Sequence, residues 1–149
     1  MTLQVGVRLP AGLDTGELLA EAAALEAAGA RLLWAGDEGE LDAITLLAAA
    51  AARTTDVGLA LAAPDPSRER ELATLRTLCR GRLQVGLPEG WVEAPAPAGR
   101  AAWRELRAEH VSAGTTGLLL EYDPRLLDLL RNPDQGEDDR SQDMQLATG

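Results

Sequence analysis

The sequence predicts an α/β fold, either a partial (β/α) barrel or an open parallel sheet of about five strands. Two observations predict it. Through residues 1–131, short apolar runs alternate with alanine- and leucine-rich amphipathic stretches. Those apolar runs begin about 25 residues apart, the spacing of consecutive βα units joined by right-handed crossovers. At 149 residues the chain suffices for one domain with its own core. It falls well short of the roughly 250 residues of an eight-stranded barrel.

Each element has a local reason. Leu3 to Leu9 alternates apolar with polar and ends at Pro10, a first strand. Asp14 with Glu17 three residues on has capping-box spacing; the helix places Leu18, Ala22 and Leu25 on one face and stops at Gly29. Arg31 to Ala35 reads as the second strand, closed by Gly36-Asp37-Glu38-Gly39. A helix from near Asp42 buries Ile44, Leu47, Ala48 and Ala51, and Val57 to Ala62 is the third strand. Ser67 is expected to cap a helix with Leu72, Leu75 and Leu78 or Cys79 inside. Arg82 to Leu87 is the fourth strand.

Beyond it Pro88, Pro95 and Pro97 predict a loop, followed by a short helix over 99–109 with Trp103 and Leu106 inward. Gly117 to Leu120 is the fifth strand. Asp123-Pro124 then opens a last helix carrying Leu126, Leu127, Leu129 and Leu130, which Asn132-Pro133 ends. Residues 132–149 hold five acids, one arginine and a single leucine. Such a segment lacks the apolar surface to offset its ordering entropy, and is expected to be disordered or draped on a neighbour.

Charge narrows the partners. The chain carries 14 basic residues, all arginine, against 24 acids, a net charge of −10, which disfavours nucleic acid and anionic membrane surfaces. One cysteine, Cys79, precludes an intramolecular disulfide, and one histidine, His110, precludes most histidine-rich metal sites. No apolar run approaches the roughly 20 residues that span a bilayer. No basic region followed by an apolar stretch opens the chain, so a soluble, cytoplasmic protein is expected. An open sheet of this size has edges to protect, and we expect an oligomer.

Several stretches resemble a known family. They are Val5 to Pro10, Ala24 to Asp37, Asp42 to Thr55, Leu72 to Leu75, Gly81 to Leu87 and Gly90-Trp91. In order and spacing these resemble the bacterial luciferase-like flavin-dependent monooxygenases and oxidoreductases, over roughly the first 90 residues. The resemblance implies a TIM-barrel fold that binds FMN or the deazaflavin F420 at the C-terminal ends of its strands. Gly114 to Leu130 resembles a closing βα unit, so the chain is similar to such a barrel with its middle deleted.

Three departures bear on activity. Where many members have Gly-Asp-His, this chain has Gly36-Asp37-Glu38, exchanging a proton-shuttling imidazole for an ionised carboxylate. The glycine-rich turn after the fourth strand reads Gly86-Leu87-Pro88-Glu89-Gly90-Trp91, whose acid repels a phosphate. The later strands, whose loops usually hold the flavin phosphate, are missing, and no P-loop replaces them. These departures argue against flavin binding by this chain alone.

The candidate catalytic residues are Asp37 and Glu38, carboxylates at a strand end able to act as base or polar anchor. The competing reading is a solvated turn. The candidate cofactor-binding residues are Arg8, Ala63, Gly86 and Trp91: a cation for an anionic ligand or a structural ion pair, a backbone position beside Pro64 that shapes the flavin face in the family, a turn glycine, and a ring for stacking or core. Trp34 lines a pocket or the core. Cys79 reads as a small core residue, His110 as a helix-end residue. No metal is expected; Glu137-Asp138-Asp139 lacks the spacing of a calcium loop.

The leading functional expectation is a truncated luciferase-like homologue with reduced catalysis. It would act as a homo-oligomer or beside a full-length relative. The alternatives are a compact FMN- or F420-dependent oxidoreductase completed by a second chain, and a non-redox small-ligand module.

Overall fold

Every strand pair in the sheet is parallel, and the strands follow a cyclic order opened at one point. The structure, a computed structural model, describes residues 2–36 and 39–133. Residues 134–149 of the acidic segment, and Asp37 and Glu38, lie outside the described residues. The elements are β1 (Gln4–Arg8), α1 (Thr15–Ala27), β2 (Leu32–Ala35), α2 (Ala43–Arg53), β3 (Gly58–Leu61), α3 (Glu69–Cys79), β4 (Leu83–Val85), β5 (Trp91–Ala94), α4 (Arg100–Ser112), β6 (Gly117–Glu121) and α5 (Leu126–Arg131). The sheet order is β4-β3-β2-β1-β6-β5.

The expected α/β class and parallel sheet are found, but with six strands among the described residues instead of about five. The additional strand is β5, where three prolines predicted a loop. Pro95 and Pro97 follow the strand without interrupting it. An edge strand pairing only with β6 does not need an apolar run, and exposed Val92 and Glu93 erase the alternation that would have marked it.

Both faces of the sheet are covered. Val5, Val7, Leu33, Leu59, Leu118 and Leu120 point toward the helices and pack with Leu18, Leu25, Leu47, Leu75, Trp103 and Leu126. Leu32, Trp34, Ala60 and Leu119 form a smaller cluster on the other face with Ala62, Leu87 and Trp91.

The connection from β4 to β5, Gly86 to Gly90, dictates the shape of that inner face. In a flat sheet the two edge strands would stand five spacings apart, about 24 Å. Trp91 is in register with the start of β1, whereas Val85 lies level with its far end, so the link must also travel back along the strands. Six Cα steps reach at most about 20–22 Å. The sheet is therefore curled, and the link crosses its concave side, where Leu87 packs.

Glycines permit the crossing. Gly86 and Gly90 adopt φ of +78° and +83°. Trp91 lies so close over β6 and β1 that a Cβ on Gly117 would stand 2.1 Å from its Cε2, and one on Gly6 2.8 Å from its Cζ3.

Several helix ends differ from expectation. The Asp14 side chain makes no cap bond, so the capping box at α1 is not formed. Asp65, not Ser67, caps the third unit: it accepts from Ser67 N–H at 2.8 Å and starts a 3-10 turn, Pro66–Arg68, ahead of α3. Asp123 accepts from Arg125 N–H at 2.9 Å and forms a turn, which delays α5 to Leu126. Asp42 does cap α2, through Thr45 N–H at 2.9 Å. Ala48 is half-buried, and Ala50 takes the expected inward place.

Polar fasteners hold the N-terminal end of the sheet. The Glu26 carboxylate accepts from the N–H groups of Thr55, Asp56 and Val57, and Arg82 donates to the carbonyls of Ala51, Val57 and Cys79. Across the fold Arg100, the one buried charged side chain among the described residues, donates to Asp128 at 2.7 Å and to the Asn132 carbonyl at 3.2 Å, tying α4 to α5.

Two predictions follow from this packing. Gly117→Ala should destabilise the protein by about 2–3 kcal/mol in urea unfolding, because the ring of Trp91 must move. Pairing it with Trp91→Leu should recover part of that loss; strict additivity would contradict the contact.

Acid should unfold the protein through its carboxylates. Burial pushes Glu26 up, but the Val57, Asp56 and Thr55 N–H bonds and nearby Arg82 hold it below its ordinary value. The Arg68 guanidinium, with Thr45, holds Asp42 far below the carboxylate range, and Arg125 lowers Asp123 to about 2. Folded values depressed below unfolded ones give stability that is complete above about pH 5 and lost as the pH falls through the folded values. Glu26→Gln should be less stable at neutral pH and lose less stability than the parent between about pH 5 and pH 2. Equal losses would contradict the assignment.

Candidate functional site

Parallel strands of this kind place their chemistry at the C-terminal ends, and the cleft there is formed by β1, β2 and β6. It has a volume of about 330 Å³, and Arg8, Pro10, Gly36, Leu41, Glu121 and Tyr122 are among the residues lining it. Arg8 ends β1, in register with Glu121 at the end of β6. Its guanidinium donates to Glu93 at 2.6 Å and lies 3.2 Å from Glu121, tying β1 to β6 and β5. It also lies 5.7 Å from the centroid of the Trp34 ring, within cation–π range.

Trp34 is buried, and among the described residues its Nε1–H has no hydrogen-bond partner. Burial pushes the Tyr122 hydroxyl up, and Glu21, Asp123 and Glu17 push it further, keeping it a neutral donor. The two loops flanking the cleft touch: a Cβ on Gly39 would meet Ala11 Cβ at 2.7 Å.

The expected site residues are dispersed. Arg8 lines the cleft. Asp37 and Glu38 lie outside the described residues, between Gly36 and Gly39, which both line it. Ala63 is exposed on the loop after β3, and Gly86 opens the link to β5. Trp91 sits at the opposite end of the sheet, over Gly117 and Gly6, and is not brought together with Arg8. Glu93, Glu121 and Tyr122 were missed. Their one sequence signal is that the runs bearing Arg8 and Glu121 both finish in a charge.

Cys79 is fully buried in α3, and burial pushes its thiol up, away from a nucleophilic thiolate. The His110 ring lies 3.2 Å from Thr115 Oγ1 at the end of α4. Among the described residues no cluster of His, Cys, Asp or Glu can hold a metal, and no helix is long and apolar enough to cross a membrane.

Among the described residues, the cleft wall supplies little to hold a flavin phosphate. Among the described lining residues Arg8 is the one cation, and two carboxylates already engage it, leaving an excess of negative charge around it. The described lining residues supply no glycine-rich cradle. What the described residues offer is a small, partly apolar cleft with one shared cation, a phenol and acceptor oxygens.

Fold and cleft define a class: a parallel α/β sheet, curled and open, with its cleft at the strand C-termini. No protein-family model and no curated protein sequence matches the chain. Among solved structures it is similar to a type II Baeyer–Villiger monooxygenase, the oxygenating constituent of 3,6-diketocamphane monooxygenase from the CAM plasmid of Pseudomonas putida in complex with FMN. Sequence identity is 16% and the TM-score 0.46, over 76% of this chain and 38% of that one. The chain thus spans less than half the length of that structure.

Arg8→Met should cost about 1 kcal/mol, because Glu93 and Glu121 are largely exposed and water screens their repulsion. Adding Glu93→Gln and Glu121→Gln should restore most of it in thermal unfolding. No recovery would show that Arg8 acts through packing on Trp34 and not through charge.

Proposed function

We propose that this chain is a truncated luciferase-like homologue, reduced in catalysis, that works as an oligomeric or accessory subunit and not as a self-sufficient flavin enzyme. One observation carries the reading. The strand order β4-β3-β2-β1-β6-β5 is the cyclic order of a barrel opened between β4 and β5, and a five-residue link stands where further βα units would complete an eight-stranded barrel. The family resemblance of the first 90 or so residues is consistent with that opening.

The electrostatics support the reduced role. A phosphate entering the cleft would compete with Glu93 and Glu121 for Arg8, and the incoming dianion would face their repulsion. A soluble, cytoplasmic setting and a full-length relative as partner belong to the same proposal.

The test is a visible absorption spectrum of the purified chain before and after adding FMN or F420. We expect no chromophore retained through gel filtration, and a change in the activity or elution of a full-length relative on mixing. A flavin bound near one per chain or per dimer, with turnover lost in Asp37→Ala, would overturn the proposal in favour of a compact oxidoreductase. A non-flavin small ligand held in the cleft would instead identify a binding module.

A further inference from the structure

The sheet has two edges, and they are not equivalent. β5 is guarded: it carries Glu93, bound to Arg8, and Pro95 and Pro97 follow it directly. β4 reads Leu83-Gln84-Val85, without a charge or a proline. Among the described residues nothing pairs with its outer side.

β4 meets β3 through Leu59 N–H to the Arg82 carbonyl at 2.9 Å and Gly86 N–H to the Leu61 carbonyl at 2.8 Å. Alternate residues bond in a parallel pair, so the N–H and C=O groups of Leu83 and Val85 point away from the sheet. Val85 is 44% exposed.

The helix above this edge is also open on one side. Thr74, Leu75 and Leu78 of α3 line the groove shared with α2. The opposite flank presents Glu69, Ala73 and Arg76, all exposed, at spacings of four and seven residues that keep them on one stripe, and exposed Arg80 follows as the left-handed C-cap of the helix. The acid stands at the N-terminal end, the two arginines at the C-terminal end, and a small residue between them.

We propose that this edge is a homodimer interface in which a second copy of the chain extends the sheet across a two-fold axis at Gln84. Antiparallel β4 strands then set Leu83 of each copy opposite Val85 of the other, each pair exchanging two backbone hydrogen bonds. The same axis runs the two α3 helices antiparallel above them. Ala73 allows a close crossing, and Glu69 of each copy faces Arg76 and Arg80 of the other. An isologous contact requires a self-complementary surface, and a stripe with opposite charges at its two ends is one. The proposal rests on the open edge and the charged flank of α3, and not on the flavin reading.

Sedimentation equilibrium of the full chain tests it, with amide hydrogen exchange at Leu83 and Val85. We expect a dimer at micromolar concentration and protection of both amides that falls on dilution. Glu69→Arg alone, or Arg76→Glu with Arg80→Glu, should weaken the dimer at least about tenfold. All three together should restore it, since the charges are exchanged and not removed. These positions are exposed, and unchanged circular dichroism would confirm folding. A monomer up to about 100 μM, a dimer insensitive to the reversals, or unprotected Leu83 and Val85 amides in the assembled form would each overturn the proposal.

Discussion

The link from Gly86 to Gly90 is the constraint on which the remaining architecture depends. Because it is too short to span a flat six-stranded sheet, the sheet must curl, and the chain must cross the concave face to reach β5. That crossing brings in Leu87 and delivers Trp91 under β6 and β1, where the missing side chains of Gly117 and Gly6 make room for the ring. The concave side is thereby filled by the chain itself. The same link leaves β4 and β5 as edges, so interior packing and outward pairing capacity have one cause.

The two ends of the sheet are specialised by how they use charge. At the N-terminal end, Glu26 and Arg82 spend their hydrogen-bonding capacity on backbone groups of the α2–β3 turn and on helix ends. Charge-assisted bonds to the backbone, worth roughly 1.5–3 kcal/mol each, hold one local geometry. At the C-terminal end Arg8 instead meets two mostly exposed carboxylates, a weaker arrangement that water screens. The first arrangement is structural. The second leaves acceptor oxygens at the mouth of a cleft and gives an anionic ligand little reason to enter.

Much of the fold was legible because burial on both faces imposes a local pattern. Leu18, Ala22 and Leu25 of α1 fall inward as their spacing requires, and Gly29 takes a φ of +105° after the helix. Caps were read less well. Asp14 and Ser67 have the right chemistry for helix starts, yet the first makes no cap bond and Asp65 performs the role expected of the second. A capping motif specifies what a side chain is able to accept, whereas the path of the preceding loop decides whether an N–H comes within reach.

By itself, the sequence determined the α/β class, the parallel succession of the first four units and the inward faces of their helices, since each follows from periodicity within about a dozen residues. The tertiary structure alone decided that Trp91–Ala94 is a strand, because an edge strand is specified by its neighbour β6 and not by its own alternation. It also decided that Trp91 belongs to the packed concave face and Arg8 to the cleft, at opposite ends of one sheet. Glu93 and Glu121 lie 85 and 113 positions beyond Arg8 in the chain, and no local pattern couples residues so far apart. Strand register brings their charges together.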